Sequence, residues 1–337
     1  MQAEFDIVRF NRLLAGFAGK RILVIGDLML DEYVWGRVSR ISPEAPVPVV
    51  DVTGESYYPG GAANVARNVR EFTDKVAVMG VAGADSHGRQ LLELLEDSGI
   101  DTSGIQRDAA FLTTVKTRII ARNQQVVRVD RERRKPLTSE HTERAKKYLD
   151  GVAAGLDAII VADYGKGLLT QPLADYICRT ARGHNKILTV DPHPHTSLSW
   201  QGATAIKPNR AEAFMVVGLP ASDPVVPVLS DHPLLEAGNR LLQLWKTGSV
   251  LITLGEHGML LFQSGAQPYP TPTRAKDVFD VSGAGDTALS VFTLGLAAGA
   301  TPVEAAELAN RASGIVVGKL GTATVTAAEL QAGFAQV

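Results

Sequence analysis

The chain has 337 residues, 45% of them hydrophobic and 21% charged, with a formal net charge of −2. That balance supports a large buried core and excludes a disordered chain, and it supplies no global positive field for nucleic acid or an anionic membrane surface. The single cysteine, Cys178, excludes an intramolecular disulfide and a cysteine-built zinc site. It lies in the apolar-periodic run LADYICRTA and reads as a buried helical residue. The opening MQAEFDIVRF carries acids and does not read as a signal peptide. No uncharged apolar run reaches the roughly 18 residues of a membrane span. The expectation is a cytoplasmic protein with one α/β domain over 1–337.

In chain order, residues 4–17 have helical apolar spacing. RILVIGDLML at 21–30 reads as a buried strand ending in a Gly26-Asp27 turn, the strand end at which open α/β sheets bind ligands. Residues 33–38 (YVWGRV) and 47–58 (VPVVDVTGESYY) alternate and carry β-branched residues, as exposed antiparallel strands do. Residues 113–121 and 125–130 repeat the pattern around a turn at Arg122-Asn123-Gln124. These excursions, over about 31–59 and 111–131, predict a small β-lid beside the main sheet.

The rest alternates strand and helix. Strands are predicted at 75–79, 157–162, 186–190, 203–206, 249–254 and 258–263. Helices are predicted at 61–72, 86–97, 139–153, 171–182, 209–216, 234–246, 284–298, 302–318 and 326–334. The rhythm calls for a mainly parallel sheet covered by helices on both faces. The turn in TLGEHG admits an antiparallel pairing of 249–254 with 258–263, and the proline-rich 219–233 reads as a surface loop.

The sharpest motif is Asp280-Val281-Ser282-Gly283-Ala284-Gly285-Asp286-Thr287, which opens an apolar helix. Small residues there let the backbone approach a ligand, and N–H groups at a helix N-terminus attract anions. A carboxylate in that first turn can take the proton of a hydroxyl attacking a bound phosphate. The plainer reading is a glycine-rich turn with a capping acid. A second motif, Gly60-Gly61-Ala62-Ala63-Asn64, offers backbone contact and an amide for hydroxyl groups, or simply a tight strand–helix connection. Asp27 reads either as a turn acid or as an acceptor for sugar hydroxyls. Asp163 reads as a turn cap or a cleft residue. There is no GxxxxGK[ST] phosphate loop and no GxGxxG after the first strand.

The paired motifs GGAANVA and DVSGAGD, in this order and with IGDLMLD, KPNRAE (207–212) and TLGEHG (253–258), resemble the ribokinase/phosphofructokinase-B sugar kinases over roughly residues 18–330. The resemblance implies a ribokinase-like three-layer α/β/α sandwich with a mainly parallel sheet, plus the lid. It implies ATP and magnesium as cofactors. Asp286 would be the general base, with the backbone of Gly283, Ala284 and Gly285 holding the transferring phosphoryl group. Asn209 and Glu212 would serve the ATP phosphates and, through water at Glu212, the magnesium. Lys207, Thr253 and Gly255 would lie along the nucleotide. Asp27, Gly60, Gly61, Asn64 and Asp191 would face the substrate. The sequence departs from the pattern at His193, where close relatives carry lysine, at Lys207, where several carry a small residue, and at Val281-Ser282, where Thr-Thr is common.

Within the family, the run from Arg21 to Val50 and PGGAANVARNV at 59–69 resemble the branch that phosphorylates heptose 7-phosphate at its anomeric oxygen in lipopolysaccharide core synthesis. That branch includes forms fused to an adenylyltransferase, and the chain's end at Val337 gives the expectation of the stand-alone form. A substrate already carrying phosphate needs cations. Lys116, Arg118, Arg122 and Arg128 on the lid, with Lys166 in DYGKG, are the candidates, against the alternative of ordinary solvated charge. Tyr33, Trp35, Val49 and Tyr57 suggest lid-to-lid pairing in a homodimer. Kinases of another phosphosugar or a nucleoside, and a silent sugar- or nucleotide-binding regulator, are the competing readings.

Overall fold

The structure is a computed structural model and describes residues 6–335 except Asn123, Lys276 and Leu320. Thirteen strands run in chain order: β1 Ile22–Gly26, β2 Leu28–Ile41, β3 Pro48–Gly61, β4 Val76–Gly83, β5 Asp101–Asp108, β6 Thr114–Ala121, β7 Gln124–Arg131, β8 Ala158–Ala162, β9 Ile187–Asp191, β10 Ala205–Ile206, β11 Ser249–Thr253, β12 Met259–Gln263 and β13 Tyr269–Thr271. Ten α-helices join or flank them: α1 Ile7–Ala15, α2 Ala62–Arg70, α3 Ser86–Asp97, α4 Ser139–Val152, α5 Gln171–Gly183, α6 Arg210–Val216, α7 His232–Trp245, α8 Ala284–Ala297, α9 Pro302–Val316 and α10 Ala327–Ala335.

Nine strands form one sheet in the order β13-β12-β11-β10-β9-β8-β1-β4-β5. It is parallel from β11 through β5, and β12 and β13 are added antiparallel at one edge. Alternation along each strand divides the core. Leu23, Ile25, Ile159, Val161, Leu188 and Val190 pack on α4, α5 and α7. Ile22, Val24, Ala158 and Ile160 face the other way, onto α1, α2, α3, α8, α9 and α10. Each fully buried branched side chain contributes about 1.5–3 kcal/mol, so this double-sided burial is what makes the sheet the rigid platform of the site.

The remaining four strands form the lid, in the order β3-β2-β6-β7. Its outer pairs are antiparallel, as expected, but the central pair β2–β6 is parallel. The reason is connectivity: β2 and β6 belong to separate excursions, and each leaves the core in the same direction. The structure also adds β5 and β13, which the sequence did not announce. Both are polar or proline-bearing and show no alternation. Asp85 fixes the lid to the core. Its carboxylate caps α3 through Gly88 N–H (2.7 Å) and accepts from both the Thr113 hydroxyl (2.7 Å) and the Thr113 N–H (3.0 Å), just ahead of β6. The turn between β6 and β7 includes Asn123, which lies outside the described residues.

Register settles which lid side chains face the sheet. Asp31, Tyr33 and Trp35 share a row pattern with Lys116, Arg118 and Ile120. Tyr33 is 4% exposed, and Tyr33 and Trp35 wall the cavity between lid and core. The expectation that these two rings point outward to a partner lid is therefore corrected. The outward face carries Val34, Ile119 and Val127 in one row, with Val52 and Val129 exposed nearby.

Candidate active site

The cleft lies between the main sheet and the lid. The centre is the start of α8. Gly283 caps it with φ 81°, a left-handed conformation that favours glycine, and brings the backbone against Asn64 and Thr322. Asp280 shapes the approach by accepting from Ser282 N–H (2.8 Å) and Gly321 N–H (3.1 Å). The Ala284 N–H makes a long bond to Val281 O (3.3 Å). The remaining N–H groups of a first helical turn have no intrahelical acceptor and point toward a would-be anion.

Asp286 sits in that turn with both carboxylate oxygens held. Oδ2 accepts from Asn64 Nδ2 and Oδ1 from the Tyr164 hydroxyl, each at 2.7 Å. Burial raises its pKa, while the bonds from Tyr164 and Asn64 and the Lys207 charge work against that rise. Burial and the neighbouring Asp286 push the Tyr164 phenol well above its ordinary value, so Tyr164 stays protonated and donates. The carboxylate is thus oriented from two sides and faces a helix N-terminus.

On one side of Asp286 lies a cation. Lys207 is 3% exposed, and its Nζ pairs with Asp191 Oδ2 at 3.0 Å. The same Nζ lies 3.5 Å from where a side chain on Gly285 would begin. Burial works against the Lys207 charge, yet Asp191 and Glu212 beside it hold the pKa above the ordinary lysine value. Asn209 and Glu212 form a capping box on α6, Asn209 Oδ1 accepting from Glu212 N–H (2.9 Å) and Glu212 Oε2 from Asn209 N–H (2.8 Å). That bond set explains the Asn-x-x-Glu spacing structurally and leaves Glu212 Oε1 and Asn209 Nδ2 available. Asn209 bridges to Thr253 across the strand ends, and Gly255 follows with φ 59°. Among the described residues, no cluster of three metal-ligating side chains exists.

On the other side lie the glycines of β3. A side chain on Gly60 would collide with the Asp31 carboxylate, and Gly61 has φ 59° as it turns into α2. Asp31 is 4% exposed and its charge reaches Asp286. Its Oδ1 pairs with Arg118 Nη1 at 2.5 Å. Asp31 ends the IGDLMLD run, and the sequence reading gave the substrate role to Asp27 in that run instead. The Asp27 carboxylate is engaged elsewhere: it accepts from the backbone N–H groups of Tyr164 (3.0 Å), Lys166 (3.0 Å) and Leu168 (3.1 Å). Asp27 anchors a loop; Asp31 faces the cleft.

The lid cations separate in the same way. Lys116 neighbours Asp31, and burial together with Lys166 lowers its pKa. Arg128 is exposed and forks onto Asp130 (2.8 and 3.0 Å), and Lys166 pairs with Glu132 at 2.5 Å. Arg122 is exposed beyond the end of β6, about 20 Å along the strand from the level of Asp31. The structure does not bring Arg122 to the site. Asp163 accepts from Gly165 N–H in its own loop and from the Thr196 hydroxyl of the loop after β9, and burial raises its pKa to about 6. The sequence reading missed Asp31, Tyr164 and Arg67, although alternation along β2 and the spacing Asn64–Arg67 on one helix face were signals for two of them.

A buried carboxylate oriented at a helix N-terminus, with a cation on one side and hydroxyl-binding groups on the other, is the equipment of a phosphotransferase acting on an alcohol. The chain matches the profile described as pfkB family carbohydrate kinase over residues 20–328, and it belongs to that family. It is a carbohydrate kinase. Among curated relatives it is 44% identical to a "Bifunctional protein HldE" of Geobacter sulfurreducens over 308 residues, covering 91% of this chain and 61% of the relative. It is 43% identical to the protein of the same name from Desulfatibacillum aliphaticivorans over 316 residues, covering 94% and 63%. The chain thus spans less than two thirds of the length of these relatives. Its fold is similar to that of Arabidopsis thaliana ribokinase complexed with ribose and ATP (16% identity, TM-score 0.69, covering 94% of this chain and 98% of that one). It is also similar to Escherichia coli phosphofructokinase-2 in complex with potassium (17% identity, TM-score 0.73, covering 94% and 98%). Among the described residues, no helix is long and apolar enough to cross a membrane.

Proposed function

We propose that the chain is a single kinase domain that transfers the γ-phosphoryl group of ATP to the anomeric O1 of D-glycero-β-D-manno-heptose 7-phosphate, giving the 1,7-bisphosphate of lipopolysaccharide core synthesis. The observation that carries the reading is Asp286, held between Asn64 and Tyr164 at the start of α8 and flanked by Lys207. The O1 hydroxyl attacks the γ-phosphorus, the O1–P bond forms, and the bond to the ADP oxygen breaks. The hydroxyl proton passes to Asp286. N–H groups of the Gly283–Gly285 turn and the Lys207 ammonium offset charge on the transferring group. Asp31 and Asn64 accept from and donate to sugar hydroxyls. Magnesium would travel with the nucleotide phosphates, touched by Glu212 through water, and would neutralise phosphate charge.

The heptose assignment is supported by the resemblance of segments 21–50 and 59–69 and by relatives more than 40% identical. It is tested by ADP release from ATP and magnesium with heptose 7-phosphate, unphosphorylated heptose, fructose 6-phosphate, ribose and adenosine. The expected result is turnover with heptose 7-phosphate at least about tenfold above the other acceptors in kcat/KM. Preferred turnover of ribose or adenosine would overturn the substrate and leave the family membership intact.

The outward lid face, with Val34, Ile119, Val127 and Val129 side by side, supports association of two copies through their lids. Sedimentation equilibrium is expected to give twice the chain mass, and Val127→Lys with Val129→Lys to give the monomer. A single-chain mass for the unaltered protein would remove this interface.

A further inference from the structure

A cavity of about 900 Å³ opens beside the base, between the lid and the segments around Asp280 and Thr322. Three cations stand in its wall: Arg67 from α2, Arg118 from β6 and Lys319 after α9. Two of them are held by aromatic faces. Arg67 lies over the Tyr58 ring (5.7 Å to its centroid) and Arg118 over the Tyr33 ring (5.3 Å). An aromatic face fixes a guanidinium without taking its N–H donors.

Most cations near the site are held in ion pairs; among the described residues Arg67 and Lys116 are not. Lys319 pairs with Glu329 (2.7 Å), Arg118 with Asp31, Lys166 with Glu132, and Arg128 with Asp130. Among the described residues, Arg67 has no carboxylate at ion-pair distance. Its Nη1 makes two long bonds, to Asn64 Oδ1 (3.5 Å) and Thr322 O (3.4 Å). It is half-buried, and burial lowers its pKa while Glu71, Tyr58 and Asp31 work partly against that fall. The Tyr33 and Thr322 hydroxyls are buried at the same wall and lie against each other. A wall with two guanidinium forks and an ammonium, set against the single carboxylate of Asp280, presents more N–H donors than the protein's own acceptors engage and suits an anion.

We infer that this cavity seats the anionic end of the substrate, with Arg67 its principal ligand and Arg118 and Lys319 flanking it. The inference rests on the phosphosugar reading above and moves the phosphate seat from the lid strands to α2. The geometry joins the two ends of one small molecule. Asn64 bonds the Asp286 carboxylate through Nδ2 and receives Arg67 through Oδ1. A single residue thus separates the base from the anion ligand, a gap one sugar can bridge with its reacting hydroxyl on Asp286 and its phosphate on Arg67. Selection of the phosphosugar and alignment of O1 are then one event.

The test is steady-state kinetics of the full chain with ATP and either heptose 7-phosphate or unphosphorylated heptose. Arg67→Gln is expected to raise the KM for the phosphosugar, and to lower the ratio of kcat/KM values, phosphorylated over unphosphorylated, by about 30-fold. Arg67→Lys is expected to recover part of that ratio. Equal losses for both sugars, or none, would make Arg67 a structural residue and overturn the inference. A second measurement stands without any variant. Inorganic phosphate is expected to inhibit the unaltered chain competitively toward the phosphosugar and not toward ATP. Competition with ATP alone, or no inhibition at millimolar phosphate, would also overturn it. If the unaltered chain turns over only neutral sugars, the substrate reading and the inference fall together. If it turns over the phosphosugar while Arg67 variants leave the ratio unchanged, the inference alone falls.

Discussion

Asp286→Asn is expected to lower kcat by about three orders of magnitude, the scale of losing a positioned general base, with the KM for ATP changed little. The amide is isosteric, so α8 keeps its start and the Tyr164 hydroxyl keeps an acceptor at Oδ1. What disappears is the proton acceptor for the attacking hydroxyl. The pH profile supplies an independent readout. Burial raises the Asp286 pKa above the usual carboxylate range, so a larger fraction of the enzyme carries the inactive, protonated acid as pH falls. Activity should therefore be full above the raised pKa and decline with one proton taken up below it. The residual activity of Asp286→Asn should lack that acid limb. A variant retaining more than about a tenth of wild-type kcat, with its acid limb intact, would remove Asp286 from the role of base.

The sequence made the architecture legible because its core strands are nearly continuous apolar runs. ILVIG, AIIVA and SVLIT are buried at almost every position, and the helices between them carry their own caps, such as Asp85, Asn209 and Thr301. The edge strand DTSGIQRD was not legible, because a strand covered on few sides needs no apolar pattern. The candidate anion turn was readable at Gly283–Asp286, since the small residues and the acid stand together at the start of an apolar helix. The substrate side was read less well. Asp27 and Asp31 stand four residues apart in one apolar run, and only the fold decides which meets backbone and which meets the cleft. The lid charges posed the same problem in reverse. Composition announces that Arg122, Arg128 and Lys166 are cationic, but not that Lys166 meets Glu132 of another segment, nor that Arg128 turns to Asp130 two residues along its own strand. Arg67 sat unnoticed inside PGGAANVARNV, because a helix arginine has no sequence mark until a cavity forms beside it.

Asp27→Ala should act on stability before it acts on binding. The Asp27 carboxylate is 4% exposed and is the acceptor for three backbone N–H groups of the 164–168 loop. Removing it leaves three donors in a largely buried place, where each lost acceptor costs about 1–3 kcal/mol. Water entering the vacated space recovers part of this, so a net loss of about 3–4 kcal/mol is expected in urea unfolding. Activity should fall as well, by a path the kinetics can distinguish. The loop carries Tyr164, whose hydroxyl orients Asp286, so loosening it misplaces the base and lowers kcat more than it raises the sugar KM. Asp27→Asn keeps one acceptor oxygen and should fall between the two proteins in both respects. If Asp27 instead served as a ligand for sugar hydroxyls, Asp27→Ala would leave the urea midpoint within error of the unaltered chain and raise KM alone. A raised KM with undiminished stability would return the substrate role to Asp27 and leave Asp31 as the partner of Arg118 only.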